Sequence, residues 1–502
     1  MKTTSLIAAA AILALSVTPV FGSGEEEGMA TGPPTMQIYA NYWDRNPNWS
    51  PETLVLAKFA EVAGAEIELV TGDRQKAKTL VASGDLPDMM WNSFNRLEAM
   101  DFGTKGALYA IDTLFDMMPN LSTWREKYPE YDGAMTAPDG HQYATTSVYN
   151  YTQLRRAPSI SPAVHELGVD PRADIQTMQD LLDVLGQFKA RWPENHPWVT
   201  RRGIRDGYHV MFGTNHSVYL NPETDRWTYG ELEDNYRGMI EILRQAWADG
   251  VMHPDFMSMG EDPWREIMSQ GKAYFTTGPY SQITWQGTDR ADPNTWWIPI
   301  LAPEFNGTRY WSTIQNPRVL DAARWTLGAK TEVAENAAAL IDWLYSDEGV
   351  YYIYFGEVGV TSELDDLGYG YYAHFPEGQR TEWMWEQGFH FFRYNVVHSL
   401  WELNPSKAGS VPEKVFTDEV ADFYISNDSV RPPEPVLTFT ADELDQIKQI
   451  KADADAAALE GAATFIRGSR AMSEWGDFTA QLERIGVKQL EDIYNAAYAR
   501  TK

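Results

Sequence analysis

The chain has 502 residues, more than one hydrophobic core usually organises, so two domains or lobes are expected. Its formal charge of −30 excludes nucleic acid as a partner, because phosphate contacts need clustered Lys and Arg, and its hydrophobic fraction of 43% with 13% aromatics excludes a disordered chain. Cysteine is absent, so neither disulfides nor a lipid-modified N-terminal Cys is available.

The first residues, MKTTSLIAAAAILALSVTPVFG, combine one Lys, an apolar run over residues 6–17, the helix-breaking Pro19 and small residues suited to cleavage after Gly22. They read as a secretory signal peptide over 1–22. The run is too short to span a bilayer comfortably, and no later stretch offers about 20 uninterrupted apolar residues. Residues 23–35, beginning SGEEEGMATGPP, are polar and rich in Gly and Pro, and are expected to be a flexible start of the mature protein.

From Met36 the pattern is β-α-β: MQIYANYW reads as a strand, residues 51–63 as a helix and AEIELV as the next strand. The stretch VASGDLPDMMWNSFNR then reads as a helix end, a tight Gly-Asp-Leu-Pro turn, a short buried strand and a polar cluster. A ligand site is expected there, because in open α/β sheets ligands bind beyond the strands' carboxyl ends. Further on, Thr177 and Asp180 form a capping box ahead of a stripe of Met178, Leu181, Leu182, Leu185 and Phe188. A second stripe, Tyr236, Met239, Ile240, Leu243 and Trp247, ends at Gly250, and Asp262 with Pro263 opens a helix that stops before Gly271. GKAYFTTGPYSQITW reads as a strand entering a Gly278-Pro279 turn, with Tyr280 at its exit. Val333, Ala337, Leu340, Ile341 and Leu344 mark another amphipathic helix, Gly349 interrupts, and an aromatic-rich helix follows. The tail from Thr440 is expected to be helical throughout.

No nucleophile elbow, H-E-x-x-H, phosphate loop or Cys-based site is found, and nine scattered His residues form no pattern. No catalytic residue, metal or cofactor is assigned. What the chain over-supplies is aromatic surface, with 19 Trp and 26 Tyr, many beside Asn, Gln, Asp, Arg or Gly. That mixture suits sugars, whose C–H faces pack on rings while their hydroxyls exchange hydrogen bonds with amides, carboxylates and guanidinium groups. The clusters that fit are Tyr42, Trp43, Asp44 and Arg45; residues 91–96, with Trp91, Asn92, Phe94, Asn95 and Arg96; residues 280–285, with Tyr280 and Trp285; and Tyr310 with Trp311.

Taken in order, ASGDLPDMMW, KGALYAIDTL, PDGHQYA, GKAYFTTGPY and ALIDWLYSDEGV resemble extracellular solute-binding proteins of ABC importers, family 1, of the maltose-binding-protein type. The tail FIRG…EWGDFTAQLERIGVKQLEDIYNAAYAR is similar to that of the longer, LipO-like subgroup. The resemblance implies a type II periplasmic-binding-protein fold: two α/β lobes, each a sheet flanked by helices, with an extra helical C-terminal tail. Lobe 1 would hold 36–145 and 325–359, and lobe 2 would hold 149–312 and 362–502 including the tail 440–502, with crossings near Thr146, Thr313 and Thr361. It implies ligand contacts from Trp43, Asp44, Arg45, Asn95, Arg96 and Tyr280, where relatives often have Trp. It further implies an oligosaccharide ligand, permease subunits as partners, a monomer and a periplasmic location. A calcium loop common in longer relatives is not matched, since ARWPENHPWVTRRG offers too few oxygen ligands at the required spacing. A secreted carbohydrate-active enzyme and a sensor-linked sugar-binding protein are the alternatives.

Overall fold

The computed structural model describes residues 32–41, 49–149, 154, 158–201, 208–277, 293–315, 319, 322–364, 370–376, 380–392, 395–397 and 412–502. Its first sheet forms as the periodicity predicts. β1 (Thr35–Asn41), α1 (Leu54–Ala63), β2 (Glu66–Gly72), α2 (Arg74–Ser83) and β3 (Met89–Trp91) follow one another, and β1 pairs in parallel with both β2 and β3. Asp73 caps α2 by accepting from the Lys76 amide at 2.7 Å, and Gly84 ends that helix at φ 70, a left-handed conformation that glycine adopts without a Cβ clash. Pro87 then turns the chain into β3, whose three residues are all buried. After β3 come α3 (Arg96–Thr104), α4 (Pro119–Lys127) and α5 (Glu130–Met135).

The chain crosses to the second lobe through β4 (Val148–Tyr149). That lobe is built on β5 (Ser159–Ile160), a short α6 (Pro171–Asp174), α7 (Met178–Arg191), the hairpin β6 (Val218–Asn221) and β7 (Arg226–Tyr229), α8 (Asp234–Ala248), α9 (Glu261–Ser269), β8 (Phe275–Thr276) and β9 (Ile298–Pro299). β5 lies between β8 and β9 and is antiparallel to both. The predicted capping box of α7 is present, and Met178, Leu181, Leu182, Leu185 and Phe188 are all buried. Phe188 stacks on Tyr274 with ring centroids 4.2 Å apart, tying α7 to the strand before it enters the sheet.

β10 (Thr313–Ile314) leads back, and β11 (Trp325–Leu327) completes the first sheet, antiparallel to β3, in the order β11-β3-β1-β2. α10 (Ala334–Leu344) packs beside α1, with the Asn336 amide donating to the Ala63 carbonyl at 2.7 Å. α11 (Asp347–Phe355) follows after a sharp corner, where Ser346 caps the helix by accepting from the Gly349 amide. Gly349 is required by close approach: a Cβ there would lie 1.9 Å from the Trp343 carbonyl oxygen.

Next come β12 (Ser362–Leu364), β13 (Gly370–Tyr372), α12 (Arg380–Glu386) and β14 (Val396–Val397). The sequence grouping put residues 362–502 with the second lobe, yet residues 385–392 dock on the first. Trp49 Nε1 donates to the Trp385 carbonyl at 3.0 Å, the Val55 amide donates to that of Gln387 at 3.2 Å, and Phe391 and Phe392 pack on Trp91. Their rings cover an aromatic patch that the sheet would otherwise leave wet.

α13 (Pro412–Ser426) and β15 (Val430–Arg431), paired with β10, return the chain to the second lobe. The helical tail is α14 (Ala441–Ile466), α15 (Trp475–Ile485) and α16 (Val487–Ala499). It is fastened to α8 by Arg244, whose Nη1 donates to the Phe465 and Arg470 carbonyls at 2.9 Å. It is fastened to β7 by Glu491, which accepts from the Tyr229 amide at 2.7 Å.

Candidate functional site

Because β1 and β3 run parallel and β11 runs against them, the carboxyl ends of the first two meet the amino end of the third. Asn41, Asn92 and Arg324 are therefore neighbours. Asn92 lies immediately after β3 at φ 52, a left-handed conformation that Asn tolerates better than most residues with a Cβ. Its carbonyl accepts from Asn41 Nδ2 at 2.7 Å and its side-chain Oδ1 accepts from Arg324 Nη1 at 2.7 Å. Its amide donates to the Arg324 carbonyl at 2.7 Å, so Asn92 is held from both sides. Arg324 Nε donates to Ser147 Oγ at 2.6 Å, joining this edge to the first crossing segment.

That crossing is pinned by two phenols. The Thr146 amide donates to Tyr131 Oη at 3.1 Å, and Tyr345 Oη donates to the Thr146 carbonyl. Burial pushes the Tyr131 pKa well above its ordinary value and that of Tyr345 up to about 12, so both stay neutral. Asn395 closes the corner: its Oδ1 accepts from Trp325 Nε1 at 2.7 Å, its carbonyl accepts from the Val148 amide at 3.0 Å, and its Nδ2 donates to the Phe392 carbonyl at 2.8 Å.

In the second lobe the corresponding edge is formed where residues 198–201 run beside β8. The Val199 amide donates to the Phe275 carbonyl at 3.1 Å. Arg201, 5% exposed, reaches Glu261 of α9 with Nη1 3.5 Å from a carboxylate oxygen, and Glu261 also holds Arg265. Four groups at the two edges are buried without a hydrogen-bond partner: Trp91 Nε1 and Asn92 Nδ2 in the first lobe, Trp198 Nε1 and Thr200 Oγ1 in the second. All four can donate. An unpaired buried donor is costly, and the same condition recurs away from the edges at Trp227 Nε1 and Trp343 Nε1, so it marks these positions without assigning them a role.

Of the residues singled out from sequence, Trp91 is 1% exposed and its ring packs 4.9 Å from that of Phe391, a core position. Asn95 is exposed and serves as the N-cap of α3, where Oδ1 accepts from the Glu98 amide at 2.9 Å and Glu98 reciprocates. Arg96 is 3% exposed and donates from Nη1 to the Ala134 carbonyl at 3.0 Å, which turns it toward α5. Trp311 is half-buried, its ring 6.5 Å from that of Tyr310, just before the β10 crossing. Tyr42, Trp43, Asp44, Arg45, Tyr280 and Trp285 lie outside the described residues. The edge residues not selected from sequence are Asn41, Ser147 and Arg324, whereas Asn92 belongs to the polar cluster read at the end of that strand. Asn92 carried a signal, since it directly follows the buried MMW run. Arg324 carried none, because it reaches the edge only through the antiparallel register of β11. Among the described residues no three His, Cys, Asp or Glu are grouped to hold a metal ion.

A family profile described as bacterial extracellular solute-binding protein matches residues 55–363. The chain is 22% identical to the fructooligosaccharide ABC transporter substrate-binding protein FusA of Streptococcus pneumoniae serotype 4 (strain ATCC BAA-334 / TIGR4), over 90% of this chain and 87% of that protein. Among solved structures, the alginate-binding protein AlgQ2 without calcium ion superposes with a TM-score of 0.79 at 19% identity, covering 94% of this chain and 99% of that one. FusA from S. pneumoniae in complex with kestose superposes at 0.75 and 19% identity, covering 93% and 100%. These likenesses establish the two-lobed solute-binding fold.

Proposed function

Since the chain belongs to the bacterial extracellular solute-binding proteins, whose profile spans residues 55–363, we propose that it is the substrate-binding component of an ABC importer and captures an oligosaccharide between its lobes. The single observation that carries this reading is the polar edge of Asn41, Asn92, Ser147 and Arg324, set at the strands' carboxyl ends and tied to the first crossing segment. The relatives named above are substrate-binding proteins, one for fructooligosaccharides and one for alginate. Tyr42, Trp43, Asp44 and Arg45 directly follow β1, and Tyr280 and Trp285 follow β8 in sequence, so they are proposed to supply the stacking rings and further hydrogen bonds. Ligand bridging both lobes selects the closed arrangement, because only that arrangement makes both sets of contacts.

The chain is proposed to act as a binder without turnover, exported through cleavage of its leader and delivering ligand to membrane permease subunits. The donors at both edges favour a ligand rich in acceptors, so oligosaccharides containing uronic acids stand beside neutral ones as test ligands. Incubating the mature protein with a panel of neutral and acidic oligosaccharides tests the reading. Saturable thermal stabilisation with no product supports it. Product formation supports the secreted enzyme instead, and a panel without any response contradicts carbohydrate capture.

A further inference from the structure

The tail helix α14 is anchored on the second lobe, yet its first turns reach the first. From Lys451 onward its partners belong to the second lobe: Lys451 contacts Ser217 Oγ, and Asp455 accepts from Tyr229 Oη at 2.9 Å. One turn earlier the partners change. Lys448 Nζ lies 2.6 Å from Asp101 Oδ2 on α3 and 6.0 Å from the Phe102 ring centroid, while Asp445 lies 3.7 Å from Lys105, which itself contacts Asp101. Asp101 is only 9% exposed. Asp101 is enclosed while Lys105 and Lys448 remain more than half exposed, so the cluster is a modest, salt-sensitive tie that joins an ammonium group from each lobe.

We propose that the Asp101–Lys105–Lys448–Asp445 cluster is a latch between the lobes, outside the ligand-contacting residues, that holds them in the closed arrangement. The proposal rests on the reading above that the lobes open and close. The sign follows from position. Asp101 lies six residues beyond Asn95, about 9 Å along α3 from the strand edge at which the site is placed. A bridge close to that edge draws the lobes together over it. The latch thereby raises ligand affinity without touching ligand, since less binding energy goes into closure.

The native sequence has no Cys, so spin labels on Gln75→Cys in α2 and Gln245→Cys in α8, both exposed, report the inter-lobe distance without background. Measured without ligand at low salt, Lys448→Glu is expected to shift the distribution to longer distances and raise the open population several-fold. The swapped pair Asp101→Lys with Lys448→Asp is expected to restore the native distribution, and raising salt to about 0.5 M should move the native protein part of the way toward Lys448→Glu. Lys448→Gln provides a milder variant, and thermal melts check that each protein is folded. Superimposable distributions for the native protein, Lys448→Gln and Lys448→Glu, or a shift to shorter distances, overturn the latch. Because no ligand is used, failure here leaves the oligosaccharide reading standing, and failure of the sugar panel leaves the latch standing.

Discussion

Asn92 sits at φ 52 with its side-chain nitrogen buried and unpaired, so its replacement separates backbone strain from ligand recognition. Asn92→Gly keeps the left-handed turn and removes the amide. Loss of the bond from Arg324 opposes the relieved strain, so the melting temperature should fall only slightly while oligosaccharide binding weakens by about 1–2 kcal/mol, read by titration calorimetry. An unaltered affinity would remove Asn92 from the site. A second residue prediction concerns His216, which contacts Glu231, a carboxylate with no exposed surface that also accepts from the Ser217 amide at 3.1 Å. Burial works to lower the His216 pKa, but the charge and hydrogen bond of Glu231 outweigh it and the net shift is upward. A raised imidazole contributes stability that is fully present below its unfolded value of about 6.5 and is lost as pH rises through the folded value. The stability gap between the native protein and His216→Gln should therefore be widest in mild acid and narrow toward alkaline pH. A gap that widens with pH contradicts the pairing.

At the scale of elements, the long periodic stretches were legible because burial imposes their spacing. The stripes of α7 and α8, the capping box at Thr177 and the tail helices all lie where their side chains predict. What could not be read was made of pieces too short to carry a period. The second sheet rests on β5, β8 and β9, each two residues long, and β11 joins the first sheet in an antiparallel sense that no local pattern announces. For the same reason Asn95 and Arg96 read as a ligand-facing cluster although one caps a helix and the other points to α5. Gly349, read as an interruption, is where the first turn of α11 lies against the Trp343 carbonyl of α10. Gly349→Ala should destabilise the first lobe by about 1–3 kcal/mol in thermal or denaturant unfolding, since the clash is with backbone that cannot swing aside. A variant as stable as the native protein would show that this corner yields.

At the scale of the molecule, the two lobes are stitched by β4 paired with β14 and by β10 paired with β15, and the tail adds a contact that these crossings do not provide. Packing of Phe391 and Phe392 on the first sheet shows why the lobe boundary was hard to read: an aromatic run has no preferred partner until the sheet exists. Capture of an oligosaccharide by lobe closure is the central claim, and small-angle scattering of the mature protein across the oligosaccharide panel tests it most directly. The account predicts a saturable fall in radius of gyration with at least one ligand, displaced in Asn92→Gly to about 5–30-fold higher ligand concentration. A folded protein whose radius stays constant with a ligand that binds would contradict it.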